Sequence, residues 1–135
     1  FISNLDQYNI KFISNKSFNF ENINLIGVDD NISKLKQIEI VKNNINKKKY
    51  NLLLIHKPSI WPEIRDDIEL MLSGHTHNGQ IFPFNFFVRI QFKFTYNLHK
   101  FKNSFLYVSS GCGPWGPKMR LGTKNEVVFF NLSSK

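Results

Sequence analysis

The amino-acid sequence predicts an α/β fold, and two stretches carry most of that prediction. Residues 52–55 form a short continuous apolar run, which is typical of a strand covered on both faces. In residues 32–45, Leu35, Ile38 and Val41 recur at the spacing of three to four that an amphipathic helix shows. Strands and helices in this order favour one half of a layered α/β/β/α sandwich, with a site at the edge where strands end.

The elements on either side of these two stretches follow from local patterns. Residues 18–28 alternate enough to form strands around a turn, and Asp29 and Asp30 offer oxygens that can cap the helix. Carboxylates in that position can also bind a metal, but capping explains them more simply. Prolines then lead into a short helix over residues 63–67, which is followed by a strand over residues 68–72.

The C-terminal third is predicted to contain two further strands. Residues 105–109 and 127–132 are apolar and flank a loop rich in glycine and proline. Residues 82–101 are rich in aromatic side chains, and their pattern selects neither a helix nor a strand. Because no repeat or composition shift marks a boundary, we expect residues 1–135 to belong to one domain.

The composition excludes several classes of protein. A hydrophobic content of 41% in 135 residues is enough for one core. The single cysteine, Cys112, excludes an internal disulfide framework, and no apolar stretch approaches the roughly 20 residues that cross a bilayer. The net charge of +8 comes mainly from lysine in a chain with much asparagine and isoleucine, as an AT-biased genome produces, so we expect no nucleic-acid partner.

Three histidines stand where two strands end. His56 directly follows the apolar run, while His75 and His77 lie two residues apart in a loop framed by glycines. On an extended backbone that spacing places both side chains on one face, about 6–7 Å apart at Cα. Two such imidazoles can bracket one metal, or can reach two metals about 3.5–4 Å apart. We therefore expect the three imidazoles to cluster at one edge of the sheet.

The sequence around these histidines resembles the calcineurin-like metallophosphoesterases. Residues 74–84 closely resemble the last signature block of that family, with Asn78 in place of a glycine, and residues 54–58 resemble the preceding single-histidine block. Residues 107–122 are similar to the C-terminal stretch of a bacterial subgroup that acts at or near the membrane. Since asparagine tolerates the left-handed region, Asn78 leaves the resemblance intact.

The resemblance implies the architecture and chemistry of one half of an enzyme. It implies the C-terminal half of a four-layer α/β/β/α sandwich, in which His56 and His75 ligate one metal and His77 ligates the other. Two divalent ions (Mn, Fe, Zn, Co or Ni) would hydrolyse phosphate esters or phosphodiesters. The family's bridging aspartate, its asparagine ligand and its acid histidine have no counterpart in residues 1–135, so the chain carries no catalytic residue of its own and is expected to be inactive alone.

Partners and location are expectations of the same kind. The resemblance implies a phosphorylated small-molecule or lipid substrate, with possible membrane association through an N-terminal part that precedes these residues. The expected location is the cytoplasm or the inner membrane, and the oligomeric state is open.

Two other readings of the histidines stay open at the level of sequence. One is a non-catalytic module that holds a single zinc ion, and the other is an inactive fragment. Arg120 could bind a substrate phosphate or serve a salt bridge or backbone hydrogen bonds. His99 is expected to be a structural or surface residue, and Cys112 a structural one.

Overall fold

A six-stranded mixed sheet organises the chain in the computed structural model, which describes residues 6–8 and 10–133. The four inner strands are parallel to one another, and the two edge strands are antiparallel to their neighbours. The spatial order is β1-β2-β3-β4-β6-β5. In chain order, the strands are β1 (Lys16–Phe20), β2 (Ile23–Val28), β3 (Tyr50–Ile55), β4 (Leu70–Ser73), β5 (Asn97–Phe101) and β6 (Ser104–Val108).

In the described part of the chain, three α-helices and three short 3-10 segments accompany the strands. The 3-10 segments lie at Asp6–Tyr8, Pro58–Ile60 and His77–Gly79. The α-helices are α1 (Lys34–Asn44), α2 (Trp61–Ile64) and α3 (Phe84–Gln91). This arrangement confirms the predicted α/β class and is consistent with the C-terminal half of the expected sandwich.

One face of the sheet holds the core. Ile26, Leu53, Met71 and Leu106 occupy matching positions on the four parallel strands, and each is fully buried. Side chains of α1 and α2 pack against this row, among them Val41. Burying an aliphatic side chain of this size stabilises the fold by about 1.5–3 kcal/mol, so the row fixes the register of all four strands.

The opposite face of the sheet is covered less completely. Successive residues of a strand point to opposite faces, so Leu54 projects away from the core, and it is 37% exposed. On the edge strand β5, Leu98 is 53% exposed. Ile13 lies directly over Gly27, where a Cβ atom would stand only 2.4 Å from the Ile13 carbonyl oxygen. This partly open face is the one that a second sheet covers in a four-layer sandwich.

The predicted cap of the first helix is wrong. Helix α1 begins at Lys34, and its N-cap is Ser33, whose hydroxyl accepts a hydrogen bond from the Lys36 N–H at 3.3 Å. Asp29 instead accepts a hydrogen bond from the Asn15 side-chain amide at 2.9 Å. Both aspartates lie too far ahead of the first helical turn to reach its free N–H groups.

The predicted short helix begins earlier than expected. Residues 63–67 were expected to be helical, but α2 runs from Trp61 to Ile64 and follows the 3-10 segment directly. Pro62 lies in its first turn, where the missing N–H costs no hydrogen bond.

The predicted final strand is absent. Residues 127–132 form irregular chain, and Val127 and Phe129 are 91% and 90% exposed. The neighbouring strand β6 is already paired on both sides, by β4 and by β5, so it offers no free edge. The segment touches the sheet through the Phe130 ring, which lies 5.2 Å from the ring of Tyr107. An apolar run without a free edge therefore stays outside the sheet.

Residues 82–101, for which the sequence selected no structure, contain α3 and β5. The apolar residues of this stretch recur both at every second position and at helical spacing. Pro83 immediately precedes α3, which packs against the 3-10 segment that contains His77.

Candidate functional site

Two histidines meet at the carboxyl ends of neighbouring parallel strands. His56 follows β3 and His75 follows β4, and the Gly74 N–H donates to the His56 carbonyl at 3.0 Å. The His56 Nε2 and His75 Nδ1 atoms lie 3.2 Å apart, with the two rings nearly perpendicular. This is the proximity that the sequence predicted for the two strand ends.

The geometry of this pair fits a shared metal ion. Zinc–nitrogen bonds are about 2.0–2.1 Å long, so two nitrogens bound to one ion at 90–110° stand about 2.9–3.4 Å apart. The observed 3.2 Å between His56 Nε2 and His75 Nδ1 falls within that span. Across residues 6–8 and 10–133, no group of three or more histidine, cysteine or acidic side chains is arranged to hold a metal. The pair therefore supplies two donors, and a complete coordination shell needs others.

The loop after β4 holds its residues in an unusual backbone conformation. His75, His77, Asn78 and Gln80 all have positive φ, at 75°, 48°, 52° and 45°. Such angles are costly for side chains other than glycine, and they persist only where the surroundings impose them. Strain of this kind is concentrated at functional sites, and here it aims the two histidines of the loop.

Thr76 and Gly79 anchor the same loop. The buried Thr76 hydroxyl donates to the Thr95 carbonyl and accepts from the Asn78 N–H. Gly79 has φ of 75°, and a Cβ atom there would lie 2.2 Å from the Cα of Asn85. Only glycine lets α3 approach the loop this closely.

Arg120 clamps the histidine loop to the glycine-rich loop. Its guanidinium donates to the carbonyls of His77 at 3.1 Å, Ser110 at 2.7 Å, Gly111 at 3.3 Å and Gly113 at 2.9 Å. It also lies 3.5 Å from the His77 Nδ1 atom. Of the roles that the sequence leaves open for Arg120, the structure shows the backbone hydrogen bonds.

Gln80 organises the glycine-rich loop from the other side. Its buried side-chain amide donates to the carbonyls of Trp115 at 2.8 Å, Pro117 at 3.1 Å and Met119 at 3.1 Å. Its carbonyl oxygen accepts from the Trp115 N–H at 2.6 Å. The glutamine of the resembling block is thus a structural hub, a role that the sequence did not reveal.

Glu126 is a second hub that sequence reasoning missed. Its carboxylate accepts from the Ser110 N–H at 2.8 Å and from the hydroxyls of Tyr96 at 2.9 Å and Tyr107 at 3.2 Å. Burial alone raises the pKa of Glu126, but the hydrogen bonds to its charged form outweigh burial and hold that pKa below its usual value. Burial together with the nearby carboxylate raises the pKa of Tyr107 to about 12.

The surroundings of the loop histidines lower the pKa of both imidazoles. Burial lowers the pKa of His75, and the charges of His56 and Lys57 lower it further, against an opposing effect of Asp30. Burial and the adjacent guanidinium of Arg120 lower the pKa of His77. Because only a neutral imidazole can ligate a metal, these shifts favour the ligating form.

Asp30 belongs to this site although it does not cap α1. One carboxylate oxygen of Asp30 forms an ion pair with Lys57 at 3.0 Å, and the other is buried without a hydrogen-bond partner. Both residues line the same cavity as His56 and His75. A sequence signal for this role was present, since Asp30 follows strand β2 at the same sheet edge.

A cavity of about 810 Å³ opens beside the histidines. His56, His75 and His77 all line it, so the three predicted residues share one cavity. Residues of α3 and Trp115 line the same cavity. The remaining residues considered from sequence lie elsewhere: the His99 ring packs against Phe94 at 5.2 Å, and Cys112 is an exposed free thiol.

Comparison with known proteins finds relatives that are named metallophosphoesterases. The chain is 36% identical over 136 residues to an uncharacterized metallophosphoesterase of Campylobacter jejuni, and the match covers 94% of this chain and 36% of that protein. It is 33% identical over 142 residues to one of Helicobacter pylori, covering 99% and 38%. It is 34% identical over 120 residues to one of Aquifex aeolicus, covering 82% and 46%. The chain belongs to the calcineurin-like metallophosphoesterase family.

This metallophosphoesterase segment spans between about a third and a half of the length of those relatives. A Bos taurus relative, 41% identical over 81 residues, is named a transmembrane protein with a metallophosphoesterase domain, and the match covers 57% of this chain and 18% of that protein. No family model matches the chain, and no solved structure matches it significantly. None of the helices in the described part of the chain has both the length and the apolar character to span a bilayer.

Proposed function

We propose that this metallophosphoesterase segment supplies metal-binding histidines to a hydrolase of phosphate esters or phosphodiesters. In this proposal His56 and His75 hold one divalent ion, and His77 contributes to a second. The observation that carries it is the 3.2 Å separation of the His56 and His75 ring nitrogens at the ends of adjacent parallel strands. Bound divalent ions would lower the pKa of a water molecule and stabilise charge on the phosphoryl oxygens.

The residues around the histidines have supporting parts in the same proposal. Arg120 fixes the backbone of His77, and the strained loop orients both of its imidazoles. Lys57, held by Asp30, places a positive charge in the cavity where an anionic phosphoryl group would arrive. The substrate is proposed to be a phosphorylated small molecule or lipid. We assign any membrane association to parts of the protein other than these residues.

Metal content and hydrolysis test the proposal in the natural gene product that contains these residues. With Mn²⁺, the protein is expected to hydrolyse bis-p-nitrophenyl phosphate and to bind metal measured by plasma emission spectrometry. His56→Ala and His75→Ala are each expected to remove at least one equivalent of metal and to reduce hydrolysis by 100-fold or more. His99→Ala, whose ring packs away from the cavity, serves as the matched control.

The outcomes separate the proposal from its alternatives. Metal binding at a single ion per chain without hydrolysis would support the non-catalytic module. Retention of full metal content in His56→Ala and His75→Ala would show that the pair is not a ligand set, and the proposal would be abandoned.

A further inference from the structure

We infer that the cavity binds a phosphate ester that carries an extended apolar chain, with the chain lying between α3 and Trp115. This inference rests on the proposed function, because the phosphoryl group is assigned to the histidines of the cavity. It adds the chemical class of the organic group, which the histidines leave open.

The cavity lining combines two kinds of chemistry. The three histidines and the Lys57–Asp30 ion pair supply polar and charged groups. Aromatic and aliphatic side chains, among them Phe84, Phe87 and Val88, supply apolar surface. A ligand that complements both kinds of lining has an anionic group and an apolar group, which describes an amphiphile.

Helix α3 turns one face toward this cavity. Phe84, Phe87, Val88 and Gln91 line it, and their spacing of three, four and seven residues places them on a single face of the helix. Phe84 and Phe87 are 62% and 61% exposed, and no residue of α3 is buried. A face of large apolar side chains that the described chain leaves open is suited to an apolar ligand.

Trp115 also lines the cavity. Four hydrogen bonds with the Gln80 side chain hold the backbone of the surrounding loop, two of them with Trp115 itself, and Trp115 is 75% exposed. The backbone is therefore fixed, whereas most of the residue's surface is open. An indole in that position offers a broad apolar surface to a chain that lies along α3.

The outward face of α3 is distinct from the cavity face. Phe86 and Ile90 are 63% and 70% exposed and do not line the cavity, and Arg89 lies beside them. A membrane surface or a flat protein partner would contact this outward face. A chain-bearing ligand would contact the cavity face, so substitutions on the two faces separate the possibilities.

The first experiment measures binding without catalysis. Dodecyl phosphate, kept below its micelle concentration, and methyl phosphate are titrated into the natural gene product while tryptophan fluorescence is recorded. The fluorescence change that is lost in the Trp115→Phe variant is the change that comes from the cavity. Trp61 should contribute little to it, because Trp61 is only 2% exposed. Each methylene that leaves water is worth up to about fourfold in affinity, or ~0.8 kcal/mol, so dodecyl phosphate should bind at least about 100-fold more tightly.

Matched variants test the location of the chain. For Val88→Asp, on the cavity face, the ratio of the dodecyl phosphate and methyl phosphate affinities should fall at least tenfold, because this ratio cancels any repulsion that the new carboxylate exerts on both phosphates. Ile90→Asp, on the outward face, should change neither affinity, and it controls for the effect of a charge on helix folding. The milder Val88→Ala should reduce the preference partially, and circular dichroism verifies that each variant is folded.

Three results would overturn the inference. They are equal affinity for the two phosphates, equal effects of Val88→Asp and Ile90→Asp, and a response that requires phospholipid vesicles and is lost in Ile90→Asp. Hydrolysis of methyl p-nitrophenyl phosphate with Mn²⁺ is measured in parallel. Because that short substrate needs no chain site, its hydrolysis without any chain preference would refute this inference while leaving the proposed function intact.

Discussion

Replacing Arg120 by lysine should loosen the histidine loop while retaining the positive charge. The guanidinium serves four carbonyl oxygens, those of His77, Ser110, Gly111 and Gly113, and a lysine ammonium on a flexible stem can reach only one or two of them. At about 1–1.5 kcal/mol for each hydrogen bond lost, the loss of two or three bonds costs about 2–4 kcal/mol of local stability.

Hydrogen exchange measured by mass spectrometry reports this local effect. A loss of 2–4 kcal/mol corresponds to roughly 30-fold to 1,000-fold faster exchange through local opening, and we expect it in peptides that cover residues 75–82 and 109–116. Peptides from α1 should be unchanged, because the helix lies on the core side of the sheet. Arg89→Lys is the matched control, since Arg89 is exposed on α3.

The same variant separates His77 from the His56–His75 pair. If Arg120 positions His77, Arg120→Lys should weaken binding of the metal ion assigned to His77. Binding of the ion assigned to His56 and His75 should not change. Unchanged exchange in residues 75–82, together with an unchanged metal titration, would refute the assignment of Arg120 as a positioning residue.

Three further predictions concern stability and metal binding. The pKa of Glu126 is lower in the folded chain than in the unfolded chain, where it is near 4.3. Glu126 therefore stabilises the fold above that pH, and the stabilisation is lost as the pH falls through the folded-state pKa. In Glu126→Gln, the free energy of unfolding in urea should consequently depend less on pH in the acidic range. Wild-type behaviour of that variant at every pH would contradict this. Ser33→Ala should cost about 0.5–1 kcal/mol in urea unfolding through loss of the helix cap, whereas the exposed Ser59→Ala should cost nothing measurable. A polypeptide of residues 1–135 alone should bind at most one divalent ion, and only weakly, because three neutral ligands without a bridging carboxylate hold two cations poorly. Two tightly bound ions in a calorimetric titration would contradict this prediction.

The histidine pair could be predicted from sequence because its signals are local. An apolar run marks each strand; His56 follows the first run directly, and His75 follows the second after Ser73 and Gly74. Neighbouring parallel strands end at the same edge, so two local signals were enough to bring His56 and His75 together. The α/β class followed for the same reason, since the strand and helix periods are properties of short segments.

The supporting hubs could not be predicted because their partners are distant and carry no signature. The Gln80 side chain donates to backbone carbonyls 35 to 39 residues away along the chain. The Arg120 side chain donates to carbonyls 7 to 43 residues away. Since any residue type can supply a backbone carbonyl, the sequence does not mark these partners. Glu126 binds two tyrosine hydroxyls that come together only when β5 and β6 have paired. Such contacts exist only in the folded chain.

Two of the wrong element predictions depend on where neighbouring residues lie. Residues 127–132 have the apolar character of a strand, but they lie beside β6, which is already paired on both sides. The helix cap was assigned to Asp29 and Asp30, yet Ser33 is equally suited and lies nearer to the first turn. Both choices depend on the tertiary arrangement rather than on residue type.

The open face of the sheet leads to a prediction about a polypeptide of residues 1–135 alone. On that face Phe105 aligns with the buried Leu70, and Phe130 is half-buried against Tyr107, whereas Phe129 lies exposed off the sheet.

Phe20, Leu98 and Leu54 are the most open large apolar residues of the face, at 55%, 53% and 37% exposure. Burial of a leucine is worth about 1.5–3 kcal/mol, a large share of the 5–15 kcal/mol that stabilises an ordinary domain. We therefore expect this polypeptide to self-associate, and Leu54→Lys with Leu98→Lys to reduce the association measured by light scattering. A sharp, reversible unfolding transition of a monomer would contradict this expectation and would favour the binding-module alternative, because it would show that the half-covered sheet is sufficient for a stable fold.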